Sequence, residues 1–217
     1  MRRRALSLPL ALITLALTPA LPAAATPTAS TPPTPSQGIS RASTPSTGLG
    51  LWCTAGLPAR KGSRTFVLTA GHCATSGEKV YTRWTKGKRT VLGRVTGTSA
   101  RLDIAVIETT KRPAPVRGTA TVRPGQQVCQ HGARSGRVCG ITVTGNTRDR
   151  AGIRTVYGRV TPGRLAARGG DSGALVTDAH GRAVGIVSAI SRDGQWIAWT
   201  PARTALANWG LNPITTR

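Results

Sequence analysis

Acidic residues are scarce in this 217-residue chain: seven Asp and Glu stand against 30 Lys and Arg, so the formal net charge is +23. So few carboxylates give no basis for a calcium site, which needs about six to eight oxygen ligands. The basic residues are scattered and mostly arginine, and no zinc-finger, RNP-type aromatic or helix-turn-helix motif accompanies them. The composition argues against specific nucleic-acid binding and leaves anionic cell-wall polymers as a partner that the charge would attract.

A long uninterrupted apolar run is also missing. The most apolar stretch, residues 5–17, is too short and too interrupted by proline to span a membrane. Three arginines precede it and small residues follow it, which is the order found in a secretory signal peptide. The sequence therefore predicts a signal peptide at residues 1–25 and a secreted, extracellular protein.

Residues 26–47 have almost no large apolar side chains and consist mainly of Thr, Ser, Pro and Ala. Such a segment cannot bury enough surface to offset the entropy lost on ordering, so we predict a disordered linker or a short pro-segment. Residues 48–217 remain, and they are enough for one compact unit with a sizeable core. We expect this unit to be a monomer.

Cysteine is limited to four residues, and none is spaced as in a C-x-x-C zinc motif. An even number of cysteines in an exported chain favours disulfides. The spacing favours the pairs Cys53–Cys73 and Cys129–Cys139, although three pairings are formally possible. We expect no metal and no cofactor, because the sequence shows neither a metal-ligand cluster nor a nucleotide-binding loop.

Short runs rich in Val, Ile, Thr and aromatic residues recur after residue 48, separated by Gly, Pro and Ser. This pattern predicts an all-β sandwich or barrel. A proline-containing interval at residues 111–124 is predicted to connect two halves. Only residues 201–209 are typical of a helix, with proline at the start, alanines inside and Gly210 after the end.

One histidine, one aspartate and one serine stand in contexts that suit nucleophilic catalysis. A serine hydroxyl needs a base to become a nucleophile, and that base needs a carboxylate to hold its tautomer. His72 follows an apolar strand-like run, Asp103 opens another, and Ser172 lies in a Gly-Gly-Asp-Ser-Gly sequence. The order His, Asp, Ser is one of the known linear orders of such a triad. We therefore predict these three residues as catalytic.

The glycines around Ser172 also predict an oxyanion hole. Glycine lets the backbone bend so that the N–H groups of Gly170 and Ser172 can converge on one point. The sequence is not the G-x-S-x-G elbow of α/β-hydrolases, because position 174 is alanine and no parallel βαβ pattern surrounds it.

These motifs together resemble the chymotrypsin-like serine proteases, above all the secreted bacterial branch with streptogrisins and α-lytic protease. The resemblance spans residues 51–211, and it includes the small loop between Cys129 and Cys139. It implies two antiparallel six-stranded β-barrels, at about residues 48–112 and 113–200, with a short C-terminal helix at about 201–210. It also implies a serine-type endopeptidase that acts through an acyl-enzyme.

The same resemblance suggests which residues bind substrate. The segment 185–190 resembles the strand that pairs with the substrate backbone, with Ser188 beside the catalytic aspartate. Ile190 stands where many relatives have glycine, and Ile197 would narrow the pocket further. Leu165, Ala166 and Ala167 precede the nucleophile, with no acid at the position that forms the base of the pocket. We therefore expect a preference for small or medium apolar residues at P1, the position before the scissile bond, and assign substrate binding to Ser188, Ala189 and Ile190.

One departure from the family concerns Asp171. The bacterial branch holds the matching aspartate with an arginine just after the first loop cysteine, and this chain has Gln130 there. Another arginine, such as Arg134, would have to replace it.

Other functions remain open alongside the endopeptidase. The chain could be an esterase that uses the same triad, a processing protease of narrow specificity, or a non-catalytic homologue that binds cell wall.

Overall fold

The computed structural model describes residues 37–41, 53–82, 90–149 and 152–216. Within these ranges the regular structure is nearly all β, with one short α-helix and one 3-10 turn. In chain order the strands are β1 Gln37–Arg41, β2 Cys53–Ala55, β3 Leu57–Lys61, β4 Arg64–Ala70, β5 Lys79–Thr82, β6 Val91–Ser99, β7 Ile104–Thr109, β8 Gln127–Gly132, β9 Gly136–Arg148, β10 Arg154–Arg159, β11 Leu175–Thr177, β12 Ala183–Ile190, β13 Trp196–Pro201 and β14 Asn212–Pro213.

The second half is a closed six-stranded antiparallel barrel, as the family resemblance implied, in the order β10-β13-β12-β11-β8-β9. Alternating Val and Ile side chains of these strands fill its interior, which is how antiparallel strands cover a core with one face. The largest side chain there is Trp199, which is fully buried. The all-β fold class is thus confirmed.

The first half differs from the prediction of a closed six-stranded barrel. It is an open half-barrel of eight antiparallel strands, in the order β14-β3-β4-β7-β6-β5-β1-β2. Two of these strands lie outside the predicted boundaries of the first barrel: β1 precedes residue 48, and β14 follows the C-terminal helix. They supply backbone hydrogen-bond partners to β2, β5 and β3, which would otherwise present unpaired edges to solvent.

Strand β1 lies within residues 26–47, the segment predicted to be a disordered linker or a short pro-segment. Its Ile39 is only 1% exposed and packs in a cluster with Cys53 and Val80. One buried isoleucine and two rows of ladder hydrogen bonds offset the entropy cost that the composition suggested. The predicted signal peptide at 1–25 and the remaining linker residues lie outside the described residues.

The C-terminal helix α1 spans Ala202–Ala207, within the predicted interval but shorter. Pro201 stands at its N-cap, and Ala202, Ala205 and Leu206 are buried on one face. That face joins a core cluster that draws on both halves, including Leu68 of β4 and Ile186 of β12. The helix and this shared cluster hold the two halves together by apolar burial.

Both expected disulfides are present. Cys53 and Cys73 link β2 to the turn after β4, and Cys129 and Cys139 link β8 to β9. They are consistent with an extracellular protein, because disulfides persist in oxidising surroundings. Within the described residues, no helix has the length and apolar character needed to cross a membrane.

Candidate active site

Two neighbouring strands of the first half bring a histidine and a carboxylate together. His72 lies in the 3-10 turn directly after β4, and Asp103 lies directly before β7. Because Ala70 of β4 pairs with Ile104 of β7, both side chains emerge at the same edge of the sheet. His72 Nδ1 lies 3.1 Å and 3.0 Å from the two carboxylate oxygens of Asp103, and the backbone N–H of His72 donates to Oδ1 at 2.8 Å.

The backbone around this pair is shaped for close approach. A Cβ added at Gly71 would lie 2.9 Å from Ile104 N and 3.0 Å from the Asp103 carbonyl carbon, so a larger residue would push the two strands apart. Asp103 has a φ of 49°, a left-handed conformation that few residues other than glycine, Asn and Asp adopt. The distance between His72 and Asp103 therefore depends on a glycine and on one strained residue.

The second half also contacts this carboxylate. Ser188 of β12 donates a hydrogen bond from Oγ to Asp103 Oδ2 at 2.6 Å. Thr200 of β13 donates to the carbonyl of Leu102, the residue before the aspartate, at 2.6 Å. The structure thus places Ser188 against Asp103, and it fixes the aspartate from the barrel as well as from the sheet.

These contacts perturb both titratable groups. The hydrogen bond to Asp103 raises the pKa of His72 above its usual value, although partial burial works against this. Partial burial alone would raise the pKa of Asp103, but the hydrogen bonds from His72 and Ser188 outweigh burial and the net pKa is lowered. The carboxylate therefore stays ionised, and it favours the histidine tautomer with a proton on Nδ1.

Ser172 lies in the turn that precedes β11 and is tied to the first half by its backbone. Its carbonyl accepts a hydrogen bond from Thr54 N of β2 at 2.7 Å. The same carbonyl lies 3.9 Å from Cys73 Sγ, next to His72 in sequence. No hydrogen bond joins the Ser172 hydroxyl to His72, both of which belong to the described residues. The backbone of Ser172 thus lies beside Cys73, the residue that follows His72.

Two backbone N–H groups of the serine turn have no hydrogen-bond acceptor among the described residues. Gly170 has a φ of 108°, a conformation that favours glycine. Within the described part of the chain, the N–H groups of Gly170 and Ser172 have no acceptor, whereas those of Asp171, Gly173 and Ala174 donate to backbone carbonyls. The arrangement leaves unpaired donors at the two positions that the sequence analysis assigned to an oxyanion hole.

Asp171 is fully buried, and backbone N–H groups, not an arginine side chain, satisfy its carboxylate. Oδ1 accepts from Arg134 N at 2.9 Å and Ser135 N at 3.0 Å, and Oδ2 accepts from Arg168 N at 2.8 Å. The expectation that Arg134 would contribute its guanidinium is wrong: among the described residues, no side-chain cation forms an ion pair with Asp171. Gln130 is buried, and its amide finds no partner in the same part of the structure.

Sequence reasoning missed Thr54, a fully buried residue that hydrogen-bonds to the serine turn. Its only sequence signal is its position after Cys53.

Cys53, His72 and Cys73 place three possible ligand atoms within 4.8 Å of one another. The cysteines are joined in a disulfide, so neither sulfur is the thiolate that a metal requires.

Strands β12 and β13 form one wall beside the serine turn. Ile190 pairs in register with Ile197, which is buried, and Ala189 is exposed. Ala166 and Ala167 are fully buried, and their N–H groups donate to the carbonyl of Gly194 at 2.7 Å and 3.3 Å. The wall is apolar at each of these positions.

A closed antiparallel barrel, an adjoining half-barrel and a histidine–aspartate pair next to a glycine-flanked serine together define the class of chymotrypsin-like serine proteases. The family described as the trypsin-like peptidase domain matches residues 53–186, which is more than half of the chain. The chain therefore belongs to the trypsin-like peptidase family and is a serine-type endopeptidase, a hydrolase that acts on peptides.

Solved bacterial proteases share the fold. Protease A of Thermobifida fusca is 22% identical with a TM-score of 0.61, and the match covers 84% of this chain and 98% of that one. The Nocardiopsis protease is 21% identical with a TM-score of 0.61, covering 83% and 98%. An α-lytic protease homologue is 23% identical with a TM-score of 0.57, covering 84% and 99%. At these identities the likeness concerns the fold alone.

Proposed function

We propose that this chain is a secreted serine endopeptidase in which Ser172 is the nucleophile, His72 the general base and Asp103 the orienting carboxylate. The observation that carries the proposal is the network in which His72 Nδ1 contacts Asp103 at 3.0 Å while Ser188 donates to the same carboxylate at 2.6 Å. Since Nδ1 carries its proton toward Asp103, Nε2 is left as the acceptor for the serine proton.

The reaction follows from these positions. Ser172 Oγ attacks the scissile carbonyl carbon while its proton passes to His72 Nε2, and Asp103 stabilises the imidazolium that forms. The negative oxygen of the tetrahedral intermediate binds the unpaired N–H groups of Gly170 and Ser172. His72 then gives the proton to the leaving amine, and water attacks the acyl-enzyme by the same route.

Labelling with a fluorophosphonate probe tests the assignment of the nucleophile. The mature folded protein is expected to take up one label, and Ser172→Ala is expected to abolish it. Ser63→Ala is the control, because Ser63 is exposed in the turn between β3 and β4, outside this network. Retention of the label in Ser172→Ala would refute the assignment. A labelled protein that turns over esters but neither casein nor peptides would favour the esterase alternative.

The preference at P1 is proposed to be for small or medium apolar residues. Its support is the apolar wall, with Ile190 opposite Ile197 and no acid among Leu165, Ala166 and Ala167. In a panel of peptide substrates, alanyl and valyl P1 residues should be cleaved faster than arginyl ones. Ile190→Gly should shift the ratio toward larger P1 residues, whereas Val91→Ala, at a remote exposed site, should not. Faster arginyl cleavage by the wild type would overturn this proposal.

Export is proposed to remove residues 1–25. The two disulfides and the signal-like start support it. Expression of the full chain in a secreting bacterium, with mass spectrometry of the product, should give an N-terminus near residue 26. An exported product that retains residues 1–25 would contradict the proposed cleavage.

Loose attraction to anionic cell-wall polymers is proposed from the formal net charge of +23. Carboxylates of Glu108, Asp149 and Asp178 form ion pairs with arginines, and Asp171 is buried, so few acids remain to offset the 30 basic residues. Co-sedimentation with purified wall material should fall steeply as salt rises. Salt-independent binding would point to a specific site instead.

A further inference from the structure

Thr54 is the residue through which the first half holds the serine turn, and all of its polar groups are used. It is fully buried in β2. Its backbone N–H donates to the Ser172 carbonyl at 2.7 Å, and its own carbonyl accepts from Thr69 Oγ1 at 2.8 Å. Its hydroxyl donates to the Gly170 carbonyl at 2.9 Å and accepts from Ala133 N at 3.0 Å.

The hydroxyl joins two segments that are far apart in sequence. One is the serine turn, residues 169–173. The other is the turn between β8 and β9, where the next two residues, Arg134 and Ser135, hold the buried carboxylate of Asp171. Hydrogen bonds and short stretches of backbone therefore form a closed circuit. Thr54 is hydrogen-bonded to Ala133, the backbone leads to Arg134 and Ser135, and these are hydrogen-bonded to Asp171. The backbone then leads from Asp171 to Gly170, whose carbonyl is hydrogen-bonded to Thr54.

This circuit contains no side-chain cation. Thr54 holds the carbonyl of Gly170, and backbone N–H groups hold both carboxylate oxygens of the neighbouring Asp171, so the peptide unit between residues 170 and 171 is anchored from both turns. The unpaired N–H groups of Gly170 and Ser172 belong to that same stretch. Their direction, which decides whether they can bind an oxyanion, is therefore set by the circuit.

We propose that Thr54 is a positioning residue for the oxyanion hole: its hydroxyl locks the serine turn to the β8–β9 turn and so aims the N–H groups of Gly170 and Ser172. This inference rests on the function proposed above. Thr54 contacts neither substrate nor the reacting atoms, so it acts only through the two turns. In this chain the lock takes the place of an ion pair to Asp171.

The test compares Thr54→Val, which keeps the shape and loses the hydroxyl, with Thr54→Ser, which keeps the hydroxyl. Thr54→Val is expected to lower kcat by roughly 10- to 100-fold with KM within about twofold, because misaimed donors weaken binding of the transition state more than of the substrate. A peptidyl aldehyde, whose adduct places an oxygen in the hole, should lose affinity by a similar factor. Thr54→Ser should restore kcat to within about threefold of the wild type.

Thr109→Val is the matched control. Thr109 is also a buried threonine whose hydroxyl donates to a backbone carbonyl, of Leu92, and accepts from a backbone N–H, of Lys111. It lies in β7, away from both turns, so its loss should lower thermal stability while leaving kcat within about twofold. If Thr109→Val reduces kcat as much as Thr54→Val does, the effect is general destabilisation and the positioning role is refuted.

Amide hydrogen exchange tests the circuit without activity. In the wild type, Ala133 N–H should be protected, and Thr54→Val should accelerate exchange at residues 133–135 but not in β10. Rapid exchange of Ala133 in the wild type would overturn the proposal even if Thr54→Val did not fold. Absence of fluorophosphonate labelling with a protected Ala133 would refute the proposed catalytic role of Ser172 and leave the circuit intact. Normal kcat in a folded Thr54→Val would refute the positioning role alone.

Discussion

The two halves of the molecule position the proposed catalytic residues in different ways. In the first half, His72 and Asp103 follow and precede adjacent paired strands, so the register of β4 with β7 sets their separation. In the barrel, Ser172 lies in a turn, and long-range hydrogen bonds to Thr54 and the β8–β9 turn hold that turn. The position of His72 thus depends on the pairing of adjacent strands, whereas the position of Ser172 depends on hydrogen bonds between segments far apart in the sequence.

Histidines in the two halves show the same contrast. His72 is partly exposed, and the hydrogen bond with Asp103 raises its pKa. His131 is buried in β8, and desolvation, aided by the charge of Arg137, lowers its pKa to about 4. The hydrogen bond with Asp103 therefore favours the protonated form of His72, whereas burial favours the neutral form of His131.

The largest expected effect comes from breaking the pair in the first half. Asp103→Asn should lower kcat by about 10⁴-fold, because an amide cannot stabilise the imidazolium or hold the right tautomer. The wild-type kcat/KM should rise with pH through a midpoint above 6.5, the usual value for histidine, since His72 must be neutral to act as a base. The variant's residual activity should show a lower midpoint. An unchanged midpoint in pH–rate profiles would contradict the assigned role of Asp103.

Removal of either disulfide should have the next largest effect, and the two variants distinguish the two halves of the molecule. Replacing Cys53 and Cys73 by alanine opens a ring with a sequence separation of 20, and replacing Cys129 and Cys139 opens one of 10. Each should cost about 3 kcal/mol of unfolding free energy, slightly more for the longer ring. Only the first pair adjoins His72, so its loss should also reduce kcat below the unfolding temperature. Equal losses of kcat in both variants would contradict the distinction.

Acid stability tests the buried histidine of the barrel. Because the folded pKa of His131 is about 4 and the unfolded value is 6.5, the unfolded chain takes up the proton first as pH falls. The unfolding free energy should therefore be fully present above pH 6.5 and decline between pH 6.5 and pH 4, by at most about 3 kcal/mol. His131→Gln can keep a hydrogen bond to Thr177. In this variant the unfolding free energy, measured by urea unfolding, should differ less between pH 7 and pH 4.5 than in the wild type. The same slope in both proteins would exclude His131 as its source.

The smallest expected effect concerns the hydrogen bond between Ser188 of the barrel and Asp103 of the first half. Ser188→Ala removes the hydrogen bond that helps to lower the pKa of Asp103, so kcat/KM should fall by about tenfold. Ser99→Ala is the control, because the Ser99 hydroxyl contacts Leu102 N, beside the aspartate, but not the carboxylate. A loss of equal size in Ser99→Ala would assign the effect to the loop and not to the carboxylate.

Local patterns in the chain were sufficient for several elements. The glycine-flanked Ser172, the histidine after an apolar run and the aspartate before one are the residues proposed as catalytic, and the structure pairs His72 with Asp103. Proline followed by alanines located α1, and cysteine spacing identified both disulfides. Each of these signals lies within a few residues, where propensity and chemistry act directly.

Other features could not be predicted because their cause lies elsewhere in the chain. Ile39 sits in a segment whose composition indicates disorder, yet β1 is ordered because the sheet offers it two neighbours. Asp171 was expected to need a cation, but three backbone N–H groups satisfy it, which no residue identity encodes. Thr54 has no motif, since its partners lie 116 and 79 residues away.

The sequence by itself determined the all-β class, favoured the disulfide pairs that the structure contains, and supplied the proposed catalytic residues with their linear order, because these follow from residue identity and short-range pattern. Tertiary structure alone decided that the first half is an open sheet of eight strands, that Ser188 meets Asp103, and that Thr54 and backbone amides hold the serine turn. The physical reason is that a hydrogen bond needs its donor and acceptor within about 3 Å of each other. Residues this far apart in the sequence come within that distance only in the folded chain.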